Sequence, residues 1–80
     1  MKLNYRPQAV RQISKLPQSE KKKVIRKLEA LSLDPHSGKL LKGELQGLYS
    51  FRAWPYRIVY EVTKTSIIIL SVAHRQSVYD

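Results

Sequence analysis

Residues 48–79 read LYSFRAWPYRIVYEVTKTSIIILSVAHRQSVY and hold nearly all the aromatic residues and the longest β-branched run, so this stretch restricts the fold most. Two runs rich in strand formers, residues 48–53 and 56–63, flank Trp54-Pro55, and a third, residues 66–73, follows Lys64-Thr65. Such residues suit a pleated, half-buried surface, and short breaks between the runs mark turns. The spacing predicts an antiparallel three-stranded meander.

Antiparallel partners keep a constant index sum. A hairpin centred on Trp54-Pro55 sets Ala53 opposite Tyr56 and Arg52 opposite Arg57, and one centred on Lys64-Thr65 sets Arg57 opposite Val72. Side chains alternate between the faces of a sheet. One face is therefore expected to carry Ser50, Arg52, Arg57, Val59, Glu61, Ile68, Leu70, Val72 and His74. The other carries Tyr49, Phe51, Ala53, Tyr56, Ile58, Tyr60, Val62, Ile67, Ile69, Ser71 and Ala73; it is the more continuously apolar and is assigned to the core. Like charges set directly opposite destabilise a sheet. An Arg52–Arg57 pair near a further Arg and a His suits a face that receives an anion, and equally a solvated surface balanced by Glu61.

Eighty residues make a single domain spanning 1–80, which buries only about 60% of the surface of its unfolded chain. Without cysteine there is no disulfide framework, thiolate metal site or thiol nucleophile. Two histidines, His36 and His74, do not make a zinc site, so neither a metal nor another cofactor is expected. No run approaches the roughly 20 apolar residues of a membrane span, and MKLNYRPQAV lacks the apolar core of a signal peptide. A soluble cytoplasmic protein with no membrane partner is the expectation. A net charge of +9, from 15 Lys and Arg against 6 Asp and Glu, favours attraction to nucleic acid, an acidic protein or an anionic surface.

Upstream, Leu3 and Tyr5 alternate with polar residues and predict a short strand beside the sheet. Pro7 suits a first helical turn, and Val10, Ile13 and Leu16 recur at about one turn, so residues 7–15 read as a short amphipathic helix that Pro17 ends. A second helix starts near Ser19. Val24, Ile25, Leu28, Leu31 and Ser32 form its stripe, Lys21, Lys22, Lys23, Arg26, Lys27 and Glu29 surround it, and Asp34-Pro35 terminates it. The lysine run reads first as the solvated face of that helix and second as a nucleic-acid patch. Residues 36–39 are a loop in which His36 lies at the surface, and Gly43 and Gly47 stand at turns before the sheet. The fold class is α+β: an N-terminal strand and an αα-hairpin packed on one face of a mainly antiparallel sheet of about four strands.

No phosphate-binding glycine loop, paired carboxylates or Ser-His-Asp set is visible in the sequence. Any chemistry falls to Arg52, Arg57, His74, Arg75 and Tyr79. Guanidiniums make bidentate contacts to phosphate, His74 exchanges a proton near neutral pH, and Tyr79 stacks on a base or donates a proton. These groups suit phosphodiester cleavage in RNA by attack of a 2′-hydroxyl. Taken singly, each has an ordinary structural role as packing or surface.

The segments LKGELQGLYSFRAWPYRIVYEV and IIILSVAHRQSVY resemble the RelE/ParE superfamily of toxins from type II toxin-antitoxin systems. The likeness rests on L-K-G before the sheet, Y-R-I-V-Y on the central strand and H-R-x-x-V-Y at the end, and the preceding αα-hairpin extends it over the whole chain. It implies a RelE-like fold and, for RelE-like members, cleavage of mRNA in the ribosomal A site. The partners so implied are the ribosome and mRNA, a cognate antitoxin that wraps the toxin, and operator DNA only through that antitoxin.

By position, Arg57 and Arg75 match the family's phosphate-binding arginines, Arg52 a basic position on the preceding strand, and Tyr79 the terminal tyrosine. Ser50 stands where the best-known RelE-like member has a lysine proposed as the base, and the tail to Tyr79 is shorter, which leaves His74 for proton transfer. Lys22, Lys23, Arg26 and Lys42 are the further RNA contacts expected under the same resemblance. The alternatives are a ParE-like protein that binds gyrase without nuclease chemistry, and a non-toxic relative that binds only an antitoxin.

Overall fold

Proline has a fixed φ and no N–H, so it fits the first position of a helix, where the donor has no intrahelical partner. Pro7 takes that position in α1 (Pro7–Ser14), directly after β1 (Lys2–Tyr5). Pro17 then separates α1 from α2 (Gln18–Leu33), and its carbonyl accepts the Lys21 N–H at 2.8 Å to open the new helix. Asp34, before Pro35, has left helical geometry with φ −143° and ψ 78°. The computed structural model of the chain describes residues 1–41, 43 and 47–74. Four further strands complete it: β2 (Lys39–Leu40), β3 (Tyr49–Ala53), β4 (Tyr56–Val62) and β5 (Ser66–His74).

The strands form one sheet in the order β1-β5-β4-β3-β2. The expected meander is its centre, with β3, β4 and β5 antiparallel in sequence. β1 joins the outer edge of β5 in parallel, with Leu3 opposite Ile67 and Tyr5 opposite Ile69. The sheet has five strands rather than about four because Lys39, expected in a loop, and Leu40, expected in the lead-in to the sheet, pair with Ser50 and Tyr49. Gly43 and Gly47 both adopt positive φ, at 75° and 93°, a conformation that costs a side-chain-bearing residue more than glycine.

Both helices cover one face. Ala9, Val24, Leu28 and Leu31 are fully buried against Ala53, Ile58, Tyr60, Ile67, Ile69 and Val72. Burying a Leu, Ile or Val side chain contributes about 1.5–3 kcal/mol. In α1 the inward residues are Ala9 and Ile13, one turn apart, whereas Val10 is 52% exposed; the expected stripe is displaced by one position at its start.

One register differs from expectation. The second turn is centred on Lys64-Thr65 as read, with Thr63 N–H donating to the Ser66 carbonyl at 2.8 Å and Val62 opposite Ile67. Between Tyr60↔Ile69 and Val59↔Ser71, however, the ladder gains one residue on β5, a bulge at Leu70. A one-residue insertion exchanges the two faces beyond it. Arg57 therefore stands opposite Ala73 instead of Val72, and His74 opposite Tyr56. The exchange has a clear physical basis: an unbroken ladder would bury Ser71 and expose Val72, whereas the bulge leaves Val72 only 2% exposed.

Candidate anion-binding cleft

A short connection positions two cations. Trp54-Pro55 closes the β3–β4 hairpin so tightly that Arg52 and Arg57 are direct cross-strand partners, as the sequence predicts. Arg52 is exposed and Arg57 half-buried. Because β2 pairs only with Tyr49 and Ser50, β3 from Phe51 onward has no strand on its outer side among the described residues. A cleft of about 510 Å³ opens there, lined by Lys27, Ser37, Gly38, Lys39, Leu41, Ser50, Phe51, Arg52 and Arg57. Four of these residues are basic and none is acidic. The concentration of one charge in a concave site favours an anionic ligand.

Lys27 and Lys39 were not singled out by the sequence. Lys27 shares the basic flank of α2 with Arg26, a signal that was available; Lys39 lies in a two-residue strand too short to carry a pattern. Of the expected RNA contacts on α2, Lys22, Lys23 and Arg26 line a second depression of about 450 Å³ with Ser19 and Lys27. Lys27 borders both hollows, so the basic surface runs from the helix into the cleft.

His74 is placed differently from the expectation. Its ring meets that of Tyr56 edge-on, with centroids 5.7 Å apart, and Lys23 Nζ lies 5.9 Å over the same Tyr56 ring. Lys23 also pairs with Glu20 at 3.2 Å. The bulge thus associates His74 with Tyr56 and α2 rather than with the face that carries the two arginines. Lys42, Arg75 and Tyr79 lie outside the described residues.

A polar link holds the wall of the cleft. The Tyr60 hydroxyl donates to the Pro35 carbonyl at 2.9 Å and accepts the Gly38 N–H at 3.1 Å. Burial of this phenol raises its pKa above the ordinary value of 10.0, against the opposing effect of the Gly38 hydrogen bond. His36 is at the surface as expected and rests edge-on against Tyr49, with ring centroids 5.7 Å apart. Among the described residues no three His, Cys, Asp or Glu side chains form a group able to hold a metal, and no helix is long and apolar enough to cross a membrane.

The sequence model describing the ParE toxin of the type II toxin-antitoxin system parDE matches residues 3–79. The chain belongs to this toxin family. Solved relatives of this ParE-family toxin share its α+β fold. A chain of the RelBE2 toxin-antitoxin complex from Mycobacterium tuberculosis is 33% identical, with a TM-score of 0.85 over 92% of this chain and 96% of that one. A chain of the RelB-RelE antitoxin-toxin complex from Methanococcus jannaschii is 28% identical, with a TM-score of 0.76 over 96% of this chain and 95% of the other. The isolated RelE toxin of E. coli, at 21% identity and a TM-score of 0.76 over 98% and 95% of the two chains, shares the fold. No curated protein matches the sequence. The RelE-like toxin fold expected from the sequence is therefore the fold of this toxin.

Proposed function

We propose that this ParE-family toxin is a ribosome-dependent mRNA endoribonuclease that inhibits translation. The observation that carries the reading is the opposed pair Arg52 and Arg57 in a cleft to which Lys27 and Lys39 add further cations and whose lining, among the described residues, contains no carboxylate. Arg57, with Arg52, binds the scissile phosphate and neutralises the charge that builds on its oxygens as a 2′-hydroxyl attacks. A proton leaves that hydroxyl and another reaches the departing 5′ oxygen. Tyr79, with Arg75 near it in sequence, is the proposed proton-transfer group on the strength of the H-R-x-x-V-Y pattern, because the bulge pairs His74 with Tyr56 on the other face of the sheet. Lys22, Lys23 and Arg26 extend the phosphate-binding surface toward ribosomal RNA.

The partner that restrains it is a cognate antitoxin. Two relatives, RelBE2 and the Methanococcus jannaschii RelB-RelE pair, are toxin-antitoxin complexes, and the +9 charge here calls for an acidic segment over the cleft. Operator DNA is reached only through that antitoxin.

The reading is tested by incubating the protein with a defined mRNA, alone and on programmed ribosomes, and mapping 5′ ends by primer extension. Codon-spaced cuts that need ribosomes and vanish in Arg57→Ala are expected; intact mRNA with folded wild-type protein overturns the proposal. The second reading, inhibition of gyrase by binding alone, is favoured by the ParE description of the family and by the separation of His74 from the arginine face. Inhibition of DNA supercoiling with intact mRNA would select it.

A further inference from the structure

Tyr60 is a core residue with a second duty. Its ring has no exposed surface and stacks on Tyr49 at 5.3 Å between centroids. Its hydroxyl nevertheless leaves the apolar core and serves the backbone between α2 and β2, donating to the Pro35 carbonyl and accepting the Gly38 N–H. One hydroxyl offers one proton and two lone pairs, so a single oxygen satisfies both backbone groups.

The fit is close. A Cβ on Gly38 would collide with the Tyr60 hydroxyl and stand 2.8 Å from the Ser50 carbonyl oxygen. Ser37, Gly38 and Lys39, which follow directly from the anchored Pro35 and His36, line the cleft beside Arg52 and Arg57. The β2 ladder, Lys39↔Ser50 and Leu40↔Tyr49 with one further bond from the Leu41 N–H to the Leu48 carbonyl at 2.8 Å, is too short to fix this segment alone.

We propose that Tyr60 is a positioning residue for RNA binding: its hydroxyl fixes the chain at Pro35 and Gly38 and so presents Lys39 to a phosphate in the cleft of Arg52 and Arg57. The proposal rests on reading that cleft as a phosphate site. Tyr60 itself does not touch the ligand, being enclosed in the core. Its influence passes through the backbone to one side chain, which makes it separable from a general effect on stability.

The test is a double-mutant cycle read by fluorescence anisotropy with a labelled single-stranded RNA 12-mer, on the full chain at a temperature where circular dichroism shows every variant folded. Tyr60→Phe keeps the ring and removes the oxygen. It should weaken binding by about tenfold in the wild-type background, the worth of one well-placed ionic contact, and by less than about twofold when Lys39→Ala is already present. Wild-type affinity in Tyr60→Phe overturns the proposal, and so does an equal loss in both backgrounds. Should Tyr60→Phe not fold, Gly38→Ala displaces the same segment from outside the core, with the same coupling to Lys39 expected and unchanged binding overturning the idea. Failure of the wild-type protein to bind the RNA would instead remove the phosphate reading, and this inference with it.

Discussion

The Val72 backbone N–H donates to Oε1 of Gln12 at 2.7 Å, so a helix side chain caps the interior of a strand. β1 pairs with β5 only as far as Tyr5 opposite Ile69, so beyond that point the outer side of β5 has no strand among the described residues and a buried donor there needs another partner. Gln12→Ala leaves that donor unpaired, at a cost of about 1–3 kcal/mol. Differential scanning calorimetry should show a fall in Tm of about 4–8 °C for each kcal/mol in a domain of this size. Gln12→Glu, which keeps an acceptor, should lose less.

Arg52 and Arg57 oppose each other across β3 and β4, and like charges so placed cost a sheet stability, a cost that phosphate binding would offset under the proposed function. Arg52→Ser is expected to stabilise the fold by about 0.2–1 kcal/mol while reducing growth inhibition on induced expression. Arg57→Ala should abolish the inhibition with the protein still folded. Thermal melts and plate growth of the two variants check both halves, and full toxicity in both contradicts the assignment of the cleft.

Salt should report how many cations the RNA meets. With Lys27, Lys39, Arg52 and Arg57 all engaged, log K for single-stranded RNA should fall with log salt at a slope of about −3, at roughly −0.7 per contact. Each alanine replacement among the four should make the slope shallower by about 0.7. A slope unchanged by Lys39→Ala would remove that residue from the contact set.

Tyr60 predicts an alkaline limit. Burial raises its pKa above 10.0, so the folded state keeps the phenolic proton after the unfolded chain has begun to lose it. The stability it contributes is complete below about pH 10 and declines as pH rises through the folded-state pKa. Tyr60→Phe carries no such proton. Urea melts between pH 8 and 11 should therefore give a shallower alkaline loss in Tyr60→Phe than in the wild type, on top of lower stability at neutral pH.

Turn centres were legible in the sequence because tight connections leave little freedom: Trp54-Pro55 and Lys64-Thr65 each sit where read, and Arg52 meets Arg57. Both helices were legible from their proline borders and apolar spacing. The Leu70 bulge was not, since a constant index sum assumes an unbroken ladder. A polarity conflict did mark it, because parity alone placed Ser71 in the core and Val72 outside. β2 was missed since two residues show no period, and with it went Lys39. The site was thus half legible, in the arginines that local pairing fixes, while Lys27 and Lys39 arrive through tertiary packing.

The parallel pairing of β1 with β5 gives the chain a particular order of assembly. Lys2 to Tyr5 are made well before their strand partner, which begins at Ser66. Until β5 has been synthesised, β1 has no edge to join and the apolar faces of α1 and α2 lack most of their covering sheet. Contacts so distant in sequence slow folding. The growing chain therefore cannot complete its sheet, or form the bulged strand that carries His74, until residues 66–74 have been made.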